Sequence, residues 1–165
     1  MTRLPSTTVR ILAVPAVCAV LAPCTTPEVR DESGEIVEGG DTSAFQLRIG
    51  DCYNDPTASS QDEAGELGSV PTVPCSEPHQ YEVFAEQTRS ETDFPGEAAL
   101  ATMAEDYCGA EWDAFIGVPY EESALYASYL YPSQESWTEL DDRLITCVVY
   151  EPDTTHTESL RGAGY

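Results

Sequence analysis

Cys75-Ser76-Glu77-Pro78-His79 places a thiol, a hydroxyl, a carboxylate and an imidazole within five residues, and Glu82 follows three positions on. An imidazole beside a thiol lowers its pKa, so Cys75 and His79 have the types of a nucleophile and its base. Ser76, His79 and Glu77 likewise supply the three groups of a hydrolase triad. The spacing argues against both. Pro74 and Pro78 make this a tight turn, on which near neighbours rarely reach triad geometry, and no G-x-S-x-G elbow occurs. A disulfide at Cys75 would also remove the thiol. His79 is therefore expected to be a hydrogen-bonded turn residue beside the cysteine, paired with Glu82. An exported hydrolase using Ser76 and His79 stands as the alternative reading. No metal or cofactor is expected: the one other histidine is His156 near the C-terminus, and Asp51, Asp55 and Asp62 are too widely spaced for a calcium loop.

The cysteines have a second use. Beyond Cys18 and Cys24 near the N-terminus lie Cys52, Cys75, Cys108 and Cys147. No two of these four are two to four residues apart, as zinc ligands usually are, and no C-x-x-C is present. An even number in an exported chain points to two disulfides. Three pairings are possible. The preferred one joins Cys52 to Cys75, closing a polar loop, and Cys108 to Cys147, tying a helix to the last strand.

The elements that would hold these residues follow from the apolar pattern. Phe45-Gln46-Leu47-Arg48-Ile49 alternates like a half-buried strand ending at Gly50-Asp51. Asn54 to Ser69 is polar and reads as a loop. Gln80 to Gln87 alternates again and is expected as a strand. Between Gly96 and Phe115 the residues Leu100, Ala104, Tyr107, Cys108, Trp112 and Phe115 fall at spacings of three and four, one face of a long helix, stopped by Gly117-Val118-Pro119. A short helical or irregular piece is expected at 121–127, then a strand over Ser128–Tyr131 ending at Pro132. Arg143 to Tyr150 reads as a final strand centred on Cys147. Tyr126, Tyr129, Tyr131 and Trp137 are expected in core and sheet packing, any exposed remainder offering a protein or glycan contact. Arg143, after Asp141 and Asp142, is expected to form an ion pair at the strand start. The fold class is α+β: a small antiparallel sheet with one long helix packed on a face, stapled by two disulfides.

Charge and leader bear on location. The chain has 30 acidic residues, seven basic residues that are all Arg, and a formal charge of -23. Such a chain repels phosphate backbones, which argues against nucleic acid as a partner. Arg3 and Arg10 precede the apolar run Ile11–Ala22, the layout of a signal peptide and too short for an ordinary membrane span. Leu21-Ala22-Pro23-Cys24 is similar to a lipobox, in which the cysteine is diacylated; Pro23 stands where Gly or Ala is usual. Residues 1–24 are thus expected to be a signal peptide with lipid attachment at Cys24, with plain secretion as the alternative. Residues 25–43, acidic and poor in large apolar side chains, read as a flexible tether, 44–150 as the folded domain, and 151–165 as a disordered tail.

Several blocks together carry a family resemblance. They are Phe45-x-Leu47-x-Ile49-Gly50-Asp51-Cys52-Tyr53, then Val73-Pro74-Cys75-Ser76-Glu77-Pro78-His79-x-x-Glu82-Val83-Phe84, then Cys108 ahead of Phe115-Ile116-Gly117. Tyr131-Pro132-Ser133-x-x-Ser136-Trp137 and Asp142-Arg143-x-x-x-Cys147 complete the set. The chain resembles the septum-formation-related domain of actinobacterial membrane proteins and lipoproteins. Where that domain commonly carries Gly before Asp-Arg, this chain has Asp141. The resemblance implies an extracytoplasmic, membrane-associated, non-enzymatic protein connected with cell division or the envelope. Ser76, Pro78, His79, Glu82, Trp137 and Arg143 are its candidate contact residues. The expected partner is an envelope or division protein, met at the outer face of the cytoplasmic membrane.

Overall fold

A computed structural model of the chain describes residues 26–55 and 68–165. The signal peptide, Cys18, Cys24 and Asp62 lie outside the described residues, as does most of the polar loop. The strands are β1 (Val29–Arg30), β2 (Ile36–Glu38), β3 (Gly40–Ser43), β4 (Cys52–Tyr53), β5 (Ser69–Val73), β6 (Tyr81–Thr88), β7 (Tyr126–Leu130) and β8 (Leu144–Tyr150). The helices are α1 (Glu97–Ile116) and α2 (Gln134–Glu139). β1 and β2 form a hairpin, and the other strands form a six-stranded sheet in the order β3-β5-β4-β6-β8-β7. Every pairing is antiparallel.

α1 lies across β6, β8 and β7. Its stripe of Leu100, Ala104, Cys108, Trp112 and Phe115 is buried, as the three-and-four spacing predicts. These side chains meet Phe84, Ala85, Ile145, Cys147 and Val149 to make the main core. Gly117, at φ 94, adopts the left-handed cap that ends the helix. A smaller cluster of Leu47, Tyr53, Val70, Val83 and Val148 lies apart from it. The two disulfides are Cys52–Cys75 and Cys108–Cys147, the preferred pairing of the three. The first joins β4 to the turn after β5, and the second locks α1 onto β8. The fold is α+β, with one long helix on a small antiparallel sheet.

Four expectations are corrected. Phe45–Ile49 is not a strand: Ala44–Gln46 forms a 3-10 turn capped by the Ser43 hydroxyl. Leu47 is buried there while Phe45 and Ile49 stay exposed, so the alternation marks one anchor and no ladder. Residues 26–43 are no tether. They supply β1, β2 and β3, and β3 pairs with β5 from Gly40↔Thr72 to Ser43↔Ser69. Residues 151–165 are no disordered tail, because His156 bridges to His79 and Leu160 is buried. The piece at 121–127 splits into a 3-10 turn, Tyr120–Glu122, and the start of β7 at Tyr126. α2 is an addition, begun by the Ser133 hydroxyl accepting from the Ser136 N–H.

Candidate functional site

The first two motif blocks converge on one cleft. Gly50-Asp51 precedes β4, Pro74–Glu77 forms a turn closed by the Glu77 N–H donating to the Pro74 carbonyl at 2.8 Å, and Glu82 projects from β6. The C-terminal segment crosses in front of them. Between these parts lies a cavity of about 670 Å³, lined by Arg48, Asp51, Cys75, Ser76, Glu82 and Arg161 among others. Cys75, disulfide-bonded to the buried Cys52, contributes to one wall.

Asp51 is the anchor of this region. Its carboxylate, 3% exposed, accepts from Arg30 Nη1 at 2.7 Å and Nη2 at 2.8 Å, and from the Arg48 N–H at 2.8 Å. A bidentate guanidinium matches a carboxylate in both geometry and charge. The same guanidinium reaches Glu28 and the Gly34 carbonyl. This polar clasp ties the β1–β2 hairpin to the sheet, alongside the packing of β2 against β5 and the burial of Ile36.

Glu82 is 1% exposed. It accepts from the Ser159 hydroxyl at 2.6 Å and from the Leu160 N–H at 2.5 Å. Burial pushes its carboxyl above the ordinary carboxylate value, against the opposing pull of these two bonds and of Arg161. The expected His79–Glu82 pair is therefore replaced: Glu82 binds the C-terminal segment. The imidazole turns elsewhere. His79 is fully buried, and its Nδ1 donates to the Glu77 main-chain carbonyl at 2.9 Å. Nδ1 is thus the protonated nitrogen, leaving Nε2 without a hydrogen-bond partner. Burial lowers the His79 pKa, with the Glu77 bond acting in the other direction.

These contacts decide what the cluster can do. The Cys75 sulfur is in a disulfide and offers no thiolate. Ser76 sits at the exposed rim of the cleft, while the ring of His79 is sealed off and bonded to a carbonyl. Glu77 meets His79 through its backbone, and its side chain is in a separate, exposed position. Cys52, Cys75 and Glu82 bring three metal-ligand atoms within 4.8 Å of one another, but both sulfurs are bonded to each other and are poor donors to a metal. Pro78 is exposed, and its carbonyl accepts from Asn54 Nδ2 at 3.1 Å.

Trp137 and Arg143 lie in a different place, around α2. Trp137 is buried, its Nε1 donating to the Thr92 carbonyl at 3.1 Å and its ring edge-on to Phe94. The Arg143 guanidinium lies 4.0 Å over that ring and donates to the carbonyls of Glu91, Trp137 and Asp142. It also pairs with Asp141 at 3.0 Å, as expected at the strand start. Asp142 does otherwise: it accepts from the Ser136 hydroxyl and the Leu144 N–H. Both candidates hold a corner of the fold together. Of the aromatic stretch, Tyr126 and Tyr131 are exposed and Tyr129 packs against the helix core.

Arg30, Ser159 and Arg161 were not among the sequence candidates. Arg30 could have been flagged, since a lone Arg among acids in a presumed tether needs a carboxylate somewhere. Ser159 and Arg161 carry no such signal.

No curated protein and no solved structure matches the chain. A family model described as septum formation matches residues 18–163.

Proposed function

The chain belongs to the septum formation family, and from that premise we propose that it is an exported, non-catalytic binding or scaffold module of the cell envelope. It acts at the outer face of the cytoplasmic membrane, held there by lipid on Cys24, and engages an envelope or division protein.

The observation that carries the proposal is the pair of disulfides, Cys52–Cys75 and Cys108–Cys147. Stable disulfides belong to compartments outside the reducing cytosol. The apolar run behind Arg3 and Arg10 supports the same route. The binding reading is favoured over hydrolysis because the groups nearest to a catalytic set are committed elsewhere: Cys75 to sulfur, His79 to a carbonyl inside the protein.

The test is fractionation of cells carrying Cys24→Ala. The expected outcome is movement of the protein from the membrane fraction to the medium, with both disulfides still formed. A variant that stays with the membranes sinks the lipid anchor. The hydrolase alternative is tested by Ser76→Ala, which is expected to complement a deletion strain fully. Loss of complementation by a folded Ser76→Ala protein would favour the enzyme.

A further inference from the structure

The six-stranded sheet has two edges, β3 and β7, and they are finished differently. Edge strands expose unpaired N–H and C=O groups, and proteins usually shield them with charge, proline, bulges or a covering segment. β3 is shielded. It carries Asp41, and the Asp41 N–H donates outward to the Thr26 carbonyl at 2.8 Å. β7 carries no charge, proline or bulge. Its sequence is Tyr-Ala-Ser-Tyr-Leu, and it pairs with β8 in unbroken register from Tyr126↔Tyr150 to Leu130↔Thr146. Among the described residues no strand pairs with its outer side.

The surroundings of β7 supply side-chain pockets and a field. A groove of about 900 Å³ opens at its C-terminal end, lined by Leu130 and Tyr131, by Leu144 and Thr146 of β8, and by Phe45 and Leu140 among others. Tyr126 is 48% exposed at one end and Leu140 is 65% exposed at the other. The exposed carboxylates of Glu121 and Glu122 precede the strand, and those of Glu135 and Glu139 follow it. No basic residue lies between Arg89 and Arg143. A second copy set edge to edge would bring the same carboxylates together, at a cost in repulsion.

We propose that β7 is a docking edge for an extended, Lys- or Arg-bearing segment of a partner protein, which adds to the sheet as a seventh strand. Main-chain hydrogen bonds supply affinity, and an apolar side chain at the Leu130 end of the added strand reaches the groove. The flanking carboxylates select a basic partner and speed its arrival. The inference rests on the binding-module reading above and gives that module its surface and the chemistry of its partner.

The experiment titrates the oxidised protein with three ten-residue peptides at low salt. One alternates Lys and Val, one alternates Glu and Val, and one alternates Lys and Pro. The third, made with lysines methylated on the main-chain nitrogen, has the charge of the first but no N–H to donate to a ladder. The Lys–Val peptide is expected to bind at least about tenfold more tightly than either control, with slowed amide exchange confined to Ala127–Leu130. Ser128→Pro should remove that advantage. Glu121→Lys with Glu122→Lys, both on the exposed turn, should weaken Lys–Val binding about fivefold or more without touching the strand. Equal binding of the Lys–Val and Lys–Pro peptides would reduce the effect to charge and overturn the proposal. So would protection appearing elsewhere, or a dimer of the free chain with β7 amides already protected. None of these outcomes alters the fractionation of Cys24→Ala, so a failure here is distinguishable from failure of the envelope reading.

Discussion

His79 and His156 exchange two main-chain hydrogen bonds, at 2.9 and 2.8 Å, with their rings 6.3 Å apart. The bridge fastens the C-terminal segment across the turn that carries the Cys-Ser-Glu-Pro-His motif. Glu82, three residues after His79, receives Ser159 and Leu160, three and four residues after His156. Two buried ionisable side chains thus sit at one junction and titrate in opposite senses.

Stability is expected to depend on pH through both. Burial holds His79 below its ordinary value of 6.5, so the unfolded chain takes up the proton first as pH falls. That contribution is complete above pH 6.5 and is lost as the pH falls through the lowered folded value. Burial raises Glu82 above 4.5, so the folded chain keeps its proton longer. That contribution is complete below pH 4.5 and is lost as the pH rises through the raised folded value. Urea midpoints measured across pH should show His79→Gln flattening the acid limb and Glu82→Gln flattening the loss above pH 4.5. A Glu82→Gln profile parallel to that of the parent would refute the assignment.

Arg30→Ala is expected to cost about 2–4 kcal/mol, because it strands the buried Asp51 carboxylate without its two-pronged partner. Urea unfolding gives the magnitude. Limited proteolysis in the turn between β1 and β2 should accelerate more than cleavage elsewhere, since the hairpin depends on this clasp. Uniform acceleration across the chain would contradict that dependence.

Each disulfide closes a different loop, with sequence separations of 23 and 39 residues. On the chain-entropy account each contributes about 3–4 kcal/mol, the longer loop slightly more. Thiol labelling of the unfolded protein should find Cys52, Cys75, Cys108 and Cys147 blocked until reductant is added. Cys108→Ser with Cys147→Ser should lower the melting temperature at least as much as Cys52→Ser with Cys75→Ser. Labelling of any of the four before reduction would be inconsistent with the paired state.

Asp141 has φ 56, a left-handed conformation, and is 92% exposed. Glycine takes this conformation without steric cost and alanine does not. Asp141→Gly should therefore leave stability within about 0.5 kcal/mol of the parent, while Asp141→Ala should cost about 1 kcal/mol. Both substitutions remove the Asp141–Arg143 ion pair, so its loss does not change that order. Thermal melts of the two variants would decide it, and an equal effect would mean the backbone is not constrained there.

How much of this was legible in the sequence depended on what holds each piece. α1, β6 and β8 are held by apolar burial, and the spacing of Leu100, Ala104, Cys108 and Trp112 betrays it directly. β1 to β3 are held by Arg30, by main-chain bonds and by the buried Thr42–Thr72 hydroxyl contact at 2.7 Å. Polar fastening leaves no periodic trace, so the same residues read as a tether. The C-terminal segment was missed for a related reason. Its links are Ser159 and Leu160 on Glu82, and Arg161 lying 4.3 Å over the Phe115 ring, each made to a residue far away in sequence. Phe45–Ile49 misled in the other direction, because alternation alone cannot show that a Gly50-Asp51 turn follows too closely for a ladder to form.

The hydrogen bond from Asp41 to Thr26 has a consequence for how the molecule would sit on a bilayer. Thr26 is already part of the folded body, so a lipid on Cys24 would be only two residues away, a reach of about 7 Å at full extension. That distance is no greater than the Debye length of about 8 Å at physiological salt. The stand-off height would be set by the covalent chain and not by a flexible stalk, with the acidic body inside the counter-ion layer of the headgroups. So short a link would let repulsion from anionic headgroups turn the most acidic faces of the body outward.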